Sequence, residues 1–502
     1  MTPAAGTAPP ARWLLVVTVA IVALFTVLRF MMAASLDLRS DEAYYWTWSH
    51  QTVLSFLDQP PMVAWFERFG QLFFGDTTLG TRFAQLLNLP IIEILLADVA
   101  RRRTGHWNAA LFVVLAMEAT LNYSLFAVVL EPNLPLLLFV SIIVWSLGRL
   151  DETMDPRWWL LIGAAGGLAL LSKYIVLLLA PALLVFLLAS PRHRRWLTSI
   201  WPWAAIAIAL VLFSPVLVWN ARHDWASFAF QGVRLSEGQP IGPNYLVRFV
   251  IYEMVYVGPV IVVAVLVGAV ALAVRALRHG RAYEAALATA VLFPLGFLTV
   301  RSLTLQINQS WAYSSWPLGI LALALVLPWG GVWRGAKLMV AAIVVTGVPL
   351  VGGMFYHAVF DQGVWFGRGD PFGQDAGFGE MADKVLVDAR QSGAKWIATS
   401  DYRTYANLLW HIGKDIPVVQ VNQRARFLGF APVDPAQLQG TALYVRVGGA
   451  APLLADANRS PLETIPVVWR DTQMAEMTIE RLDGFTPELN PAPGSPAYDS
   501  TK

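Results

Sequence analysis

WLLVVTVAIVALFTVLRFMM (Trp13–Met32) runs through Ala33-Ala34-Ser35 into SDEAYYW (Ser40–Trp46), and that junction decides how the rest of the chain is read. The first stretch has the length of a bilayer crossing, about 20 apolar residues for a hydrocarbon core of about 30 Å. It follows a single basic residue, Arg12, and is longer than the apolar core of a signal peptide. The small residues Ala33-Ala34-Ser35 would suit a cleavage site, but the length reads as a retained helix. The second stretch puts adjacent acids beside aromatic rings just where the chain leaves the membrane.

The pattern continues outward. The chain has 502 residues, 56% hydrophobic and 14% charged, with 21 tryptophans, a balance foreign to water-soluble domains. About eleven apolar runs, centred near residues 23, 91, 116, 140, 166, 182, 208, 260, 292, 320 and 346, have the length of crossings. With the N-terminus inside, the inner connections carry Arg101-Arg102-Arg103, Arg157, Arg192/Arg194/Arg195, Arg275/Arg278/Arg281 and Arg334/Lys337. Every basic cluster then falls on one side, as the positive-inside rule requires. The N-terminus is expected to be cytoplasmic and the opposite loops to face the periplasm of a bacterial inner membrane.

From about residue 357 apolar runs shorten and Gly, Pro and charge become common. The expected organisation is an all-α polytopic membrane domain over 1–356, a small soluble α/β domain over 357–486 and a disordered Pro/Ser/Asn-rich tail over 487–502. Within the soluble part, the pattern predicts helices over Gly379–Gln391, stopped by Ser392-Gly393, and over Thr404–His411. Strands are expected at Trp396–Thr399 and Pro417–Val421 and near Leu443 and Val467.

Composition also excludes classes. A net charge of +2 implies no nucleic-acid partner, and the absence of cysteine removes disulfides, thiol catalysis and Cys-ligated metal. There is no Walker-type glycine-rich loop. What remains is chemistry in the outer loops: Asp41-Glu42 with Tyr44 and Tyr45, then Asp58-Gln59-Pro60-Pro61, Glu131-Pro132-Asn133, Lys173-Tyr174, Asn220 to Asp224, and Arg301 to Trp311. Transfer to a hydroxyl needs a carboxylate to take its proton, and aromatic faces suit a sugar or an isoprenoid tail. An interfacial aromatic belt with solvated acids reads the same way from composition alone.

Four elements in this order resemble glycosyltransferase family 39 of the GT-C class, which includes protein O-mannosyltransferases and lipid A aminoarabinose transferases. They are the acidic pair with its aromatic run and acid-x-Pro-Pro, then Gly167–Tyr174, then Ser214–Trp225, and finally Ser310–Pro317. The resemblance implies a GT-C fold and an inverting enzyme that moves a sugar from a polyprenyl-phosphate donor to a lipid A, lipopolysaccharide-core or other lipid-linked acceptor. It assigns the general base to Asp41, with Glu42 beside it. A second acid is expected between the third and fourth helices, where related sequences carry Asp after Pro; here Glu131 precedes the Pro and Asn133 follows it. The aminoarabinose transferases carry Lys where this chain has Gln59, so their donor specificity does not transfer.

An amide cannot neutralise a leaving phosphate, so the cation must be elsewhere. Lys173 interrupts an apolar stretch, where an ammonium facing lipid costs about 2.5–3.5 kcal/mol; it is expected to face a polar cavity or a phosphate, or else to snorkel from a helix end. Arg222 and Arg301 are further outer cations, and Tyr44, Tyr45, Tyr174, Asn220 and Trp311 complete the candidate binding set. Asp58 with His223 would suit a divalent metal ion. Competing readings are an O-mannosyltransferase-like activity, a flippase or transporter of lipid-linked sugars, and an inactive sugar-lipid binder.

Overall fold

The computed structural model describes residues 12–236, 242–329, 334–361, 363–373, 376–448 and 458–489. The chain forms two compact units. One comprises Met1–Ala33, Arg82–Val218 and Gln231–Phe355; the other comprises Ala34–Thr81, Trp219–Phe230 and Tyr356–Lys502. The first outer loop and the segment around His223 therefore group with the C-terminal region, although the sequence reading assigned them to the membrane domain.

The first unit is helical, and the chain is a multi-pass membrane protein. Among the described residues seven helices are long and apolar enough to cross, from Trp13–Ser35 to Lys337–Val359, or up to nine if two sharply bent pairs count as one span each. Trp158–Ser172 and Ser315–Val326 are shorter apolar helices. Each of the eleven predicted centres falls on one of these elements. Val16, Val211, Val267 and Val345 stand exposed on them, which suits contact with lipid rather than water. Gly163 and Gly167, one helical turn apart, let Trp158–Ser172 approach the backbone of Ala205 and Ala209 so closely that a Cβ at either glycine would clash. That is the small-residue contact by which membrane helices pack without a hydrophobic driving force between them.

The second unit is built on a five-stranded sheet with order β2-β1-β3-β5-β4. The strands are β1 (Trp396–Thr399), β2 (Val418–Gln420), β3 (Ala442–Val447), β4 (Asn458–Trp469) and β5 (Thr472–Asp483). β1 runs parallel to β2 and β3, whereas β5 is antiparallel to β3 and β4. Side chains alternate across it. Ile397, Leu443, Val445 and Ile479 pack into one core with Met381, Val385 and Leu408 of helices Phe378–Ser392 and Tyr402–Ile412. Trp396, Ala398, Val419, Tyr444 and Leu482 form a second core on the other face.

The predicted helices and strands appear within a residue or two, and Gly393 ends the first helix at φ 71°, a left-handed position that favours glycine. β5 was not foreseen. Its hairpin turns at Arg470 and Asp471, both at positive φ, without the Asn-Gly or Asp-Gly that would announce such a turn. The tail beyond residue 489 lies outside the described residues.

Candidate active site

The first outer loop is not irregular. Ser40–Ser49 forms a helix, with Asp41 and Glu42 in its first turn, where negative charge meets unsatisfied N–H groups. Glu42 is buried and its carboxylate accepts the Arg39 N–H at 3.0 Å, a helix-start role. Asp41 is half-buried. Its Oδ1 accepts from the Tyr402 hydroxyl at 3.0 Å, and Oδ2 has no hydrogen-bond partner among the described residues. Arg403 donates to the same Tyr402 oxygen at 3.1 Å. Burial, then the neighbouring Asp41 charge, push the Tyr402 phenol up to about 12, so it stays a donor to Asp41 at neutral pH.

The helix is fastened to Tyr402–Ile412 by Asn407, which donates to Ser40 Oγ at 2.9 Å, and by Trp46 edge-on to Trp410. Asp401 caps that second helix, accepting from the N–H groups of Arg403 and Thr404, and this places Tyr402 in its first turn.

Asp58, 7% exposed, forms an ion pair with Arg426 and accepts the Tyr44 hydroxyl at 2.9 Å. The Arg426 guanidinium lies 4.4 Å from the Tyr402 ring centroid. Burial opposes its charge, but Asp58, Tyr44 and Tyr402 hold its pKa above the usual arginine value. Burial, reinforced by Asp58, likewise raises the Tyr44 phenol. Tyr44 is 2% exposed and its ring packs on Trp48 and Tyr402. It thus serves the core and Asp58 instead of offering a face to a sugar, because its neighbours cover that face. Tyr45 is half-buried against Trp48, and Gln59 is half-buried next to Asp58.

Other predicted residues divide. Asn220 is fully buried, and its Oδ1 accepts from the N–H groups of Ser227 and Phe228; it holds a turn and is withdrawn from ligand. Arg222 is exposed. His223 stacks on Trp219, and its Nδ1–H donates to the Trp219 carbonyl at 2.7 Å. Both oxygens of Asp58 already serve a cation and a phenol, so a divalent ion shared with His223 would have to displace Arg426. The pair fits a metal poorly. Among the described residues no three His, Asp or Glu side chains converge as ligands.

A second cluster lies in the first unit. Lys173 ends the helix Trp158–Ser172 and is 8% exposed. Its ammonium donates to Asn133 Oδ1 at 2.8 Å and Ser310 Oγ at 3.2 Å, and Asn133 passes its own N–H to Glu131 at 2.5 Å. Among the described residues Lys173 has no ion pair. The amide at Asn133, where related sequences place an acid, sits between the ammonium and Glu131. Tyr174 packs edge-on against Phe213, while Arg301, at the end of Ala282–Arg301, and Trp311 are half-buried.

Arg426 is the site residue that the sequence reading missed. Its signal was Arg424-Ala425-Arg426-Phe427, two cations against an aromatic.

A family model described as dolichyl-phosphate-mannose-protein mannosyltransferase matches residues 58–219. The crystal structure of ArnT from Cupriavidus metallidurans, bound to undecaprenyl phosphate, covers 92% of this chain and 97% of its own, with a TM-score of 0.63 at 15% identity. The chain resembles glycosyltransferase family 39 and has the GT-C fold. Among curated relatives, the lipid A galacturonosyltransferase RgtD of Rhizobium johnstonii is 26% identical over 411 residues, 77% of this chain and 80% of its own. The undecaprenyl phosphate-alpha-4-amino-4-deoxy-L-arabinose arabinosyl transferase of Yersinia enterocolitica is 26% identical over 185 residues, 36% of this chain and 33% of its own. The family match begins at Asp58 and takes in Glu131, Asn133 and Lys173; Asp41 and Arg426 lie outside it.

Proposed function

We propose that the chain is a polyprenyl-phosphate-sugar-dependent glycosyltransferase that adds a sugar to lipid A or a closely related lipid-linked acceptor on the periplasmic face. The observation that carries this reading is Asp41. A carboxylate at the start of the first-loop helix has one oxygen fixed by Tyr402 and the other without a hydrogen-bond partner among the described residues, the state wanted in a general base.

In this reading Asp41 takes the proton of the acceptor hydroxyl. The resulting oxygen attacks the anomeric carbon from the face opposite the leaving group, so configuration inverts. The bond from that carbon to the donor phosphate oxygen breaks, and its electron pair leaves with the polyprenyl phosphate. Lys173 is a separate candidate for binding a donor phosphate, buried and without an ion pair among the described residues. Its hydrogen-bond partners Asn133 and Ser310 are neutral, so they orient the charge without cancelling it. Tyr402 positions Asp41, and Arg426 pairs with Asp58.

For the sugar we favour galacturonate. The relative that spans most of the chain is a lipid A galacturonosyltransferase, and Gln59 stands where aminoarabinose transferases carry lysine. Full-length protein in liposomes, given polyprenyl-phosphate galacturonate and lipid A, is expected to yield galacturonosyl lipid A, read by mass spectrometry. Lipid A from a deletion strain is expected to lack that sugar. An unchanged lipid A profile together with no turnover in vitro would remove the assignment.

A further inference from the structure

Arginines that the sequence distributes over separate loops meet at one end of the first unit. A cavity of about 560 Å³ is lined by Arg103, Arg192, His193, Arg275, Arg281 and Tyr283, with Asp151 and Glu284 on the same wall. It lies where Thr78–Thr104, Asn133–Thr153 and Pro259–His279 end and Ala282–Arg301 begins. It shares no residue with the clusters around Asp41 and Lys173.

Each acid is divided between two basic side chains. Asp151 meets Arg103 at 2.6 Å and His193 at 3.0 Å, while Glu284 meets Arg275 at 2.8 Å and Arg281 at 2.9 Å. Four lining arginines against two carboxylates leave a formal +2 with the histidines neutral. Glu152, just behind the wall, also meets Arg103 at 3.5 Å, so the surplus rests on the other arginines. Arg192 is exposed and has no ion pair among the described residues, and Arg281 is 53% exposed, so both guanidinium groups are reachable by a ligand.

The wall's two carboxylates are spent on ion pairs, and the hydroxyl left over is a donor. Tyr283 is 2% exposed, its ring lies 4.1 Å under the Arg103 guanidinium, and its hydroxyl has no hydrogen-bond partner among the described residues. A buried hydroxyl without a partner is destabilising, and a ligand oxygen would relieve that cost. The first N–H groups of Ala282–Arg301 start on the same wall, where a helix has no internal acceptor for them and carries partial positive charge. Surplus guanidinium charge, an unused phenol and a helix start together match one chemical group, a tetrahedral anion with several acceptor oxygens.

We propose that this cavity binds a phosphate group, presented by an anionic phospholipid headgroup or free in solution. The ends of membrane-crossing helices are the depth at which headgroups lie, and basic pockets between such ends select them. Binding here is independent of the transfer chemistry, so sugar transfer is not the readout.

The test uses full-length, delipidated protein in maltoside detergent. Its melting temperature is measured with phosphatidylglycerol against an uncharged galactolipid, and with inorganic phosphate against chloride at equal ionic strength. Wild type is expected to be stabilised by phosphatidylglycerol, and the double variant Arg192→Gln/Arg281→Gln to bind it about tenfold or more weakly. Both substituted side chains reach the surface, so the unliganded variant should melt with wild type. Tyr283→Phe keeps the ring and removes only the donor, and a weaker response from it separates lost binding from lost folding. Stabilisation by phosphate as well means that the group alone suffices; stabilisation by phosphatidylglycerol only means that the acyl chains contribute, and both outcomes support the site. If wild type responds to neither anion, or if both variants respond as wild type does, the proposal is overturned.

Discussion

The two polar clusters treat buried charge in opposite ways. Around Asp58 the charge is consumed: a carboxylate, a guanidinium and two phenols neutralise and orient one another. Around Lys173 the ammonium meets an amide and a hydroxyl, with its nearest acid held off behind Asn133. A neutralised cluster builds rigidity, because removing either partner strands the other. An ammonium solvated by neutral dipoles keeps its charge for something that arrives. On this comparison the Asp58 cluster is the frame that holds Asp41, and Lys173 is the charge held for a ligand.

Four experiments test that division. Asp41→Asn keeps the shape and loses the proton acceptor, so turnover is expected to fall about 10²- to 10⁴-fold while the melting temperature holds; near-normal turnover would move the base to another residue. Arg426→Ala should act on stability instead. It leaves the Asp58 carboxylate buried without its cation, a loss of about 3–5 kcal/mol read by thermal or denaturant unfolding, whereas a variant that melts like wild type would make the pair dispensable. Lys173→Met is expected to lower kcat/KM about 10- to 100-fold through lost charge-assisted hydrogen bonds. Donor KM should rise and unfolding change little; the reverse, stability lost with KM intact, would make Lys173 part of the frame.

The smallest effect is alkaline. The folded-state pKa of Tyr402, raised by burial and then by Asp41, and that of Tyr405, raised by burial, both reach about 12. A proton held more tightly in the folded state stabilises it fully below pH 10, the unfolded value. That stability is lost as pH rises from about 10 to about 12. Tyr402→Phe should flatten the slope of melting temperature against pH in that window, and an unchanged slope would detach Tyr402 from the effect.

Much of this was legible in advance, for identifiable reasons. The spans follow from apolar length, and the strands of the C-terminal region from short runs bounded by Gly and Pro. Asp41 stood out because adjacent acids beside aromatic rings are unusual after a membrane helix, and Lys173 because a cation is costly in an apolar stretch. Residue type did not reveal which polar groups serve the fold. Asn220 and Glu42 carry the right chemistry for a ligand, yet both are turned onto backbone N–H groups, a choice set by local geometry. Arg426 was hidden for a different reason. Its partner is 368 residues away, and no local pattern records such a pairing.

That separation also bears on how the protein is made. At about 5–20 residues per second, roughly 20–70 s pass between synthesis of Asp58 and of the arginine that completes it. Lys173 follows Asn133 by only 40 residues and meets it almost at once. The helix bearing Asp41 therefore emerges long before its fastening at Tyr402 and Asn407, and a chain interrupted between residues 359 and 402 has its crossings but not a fixed Asp41. Translation itself thus orders the events, with the crossings made first and the Asp41–Tyr402 contact closed last.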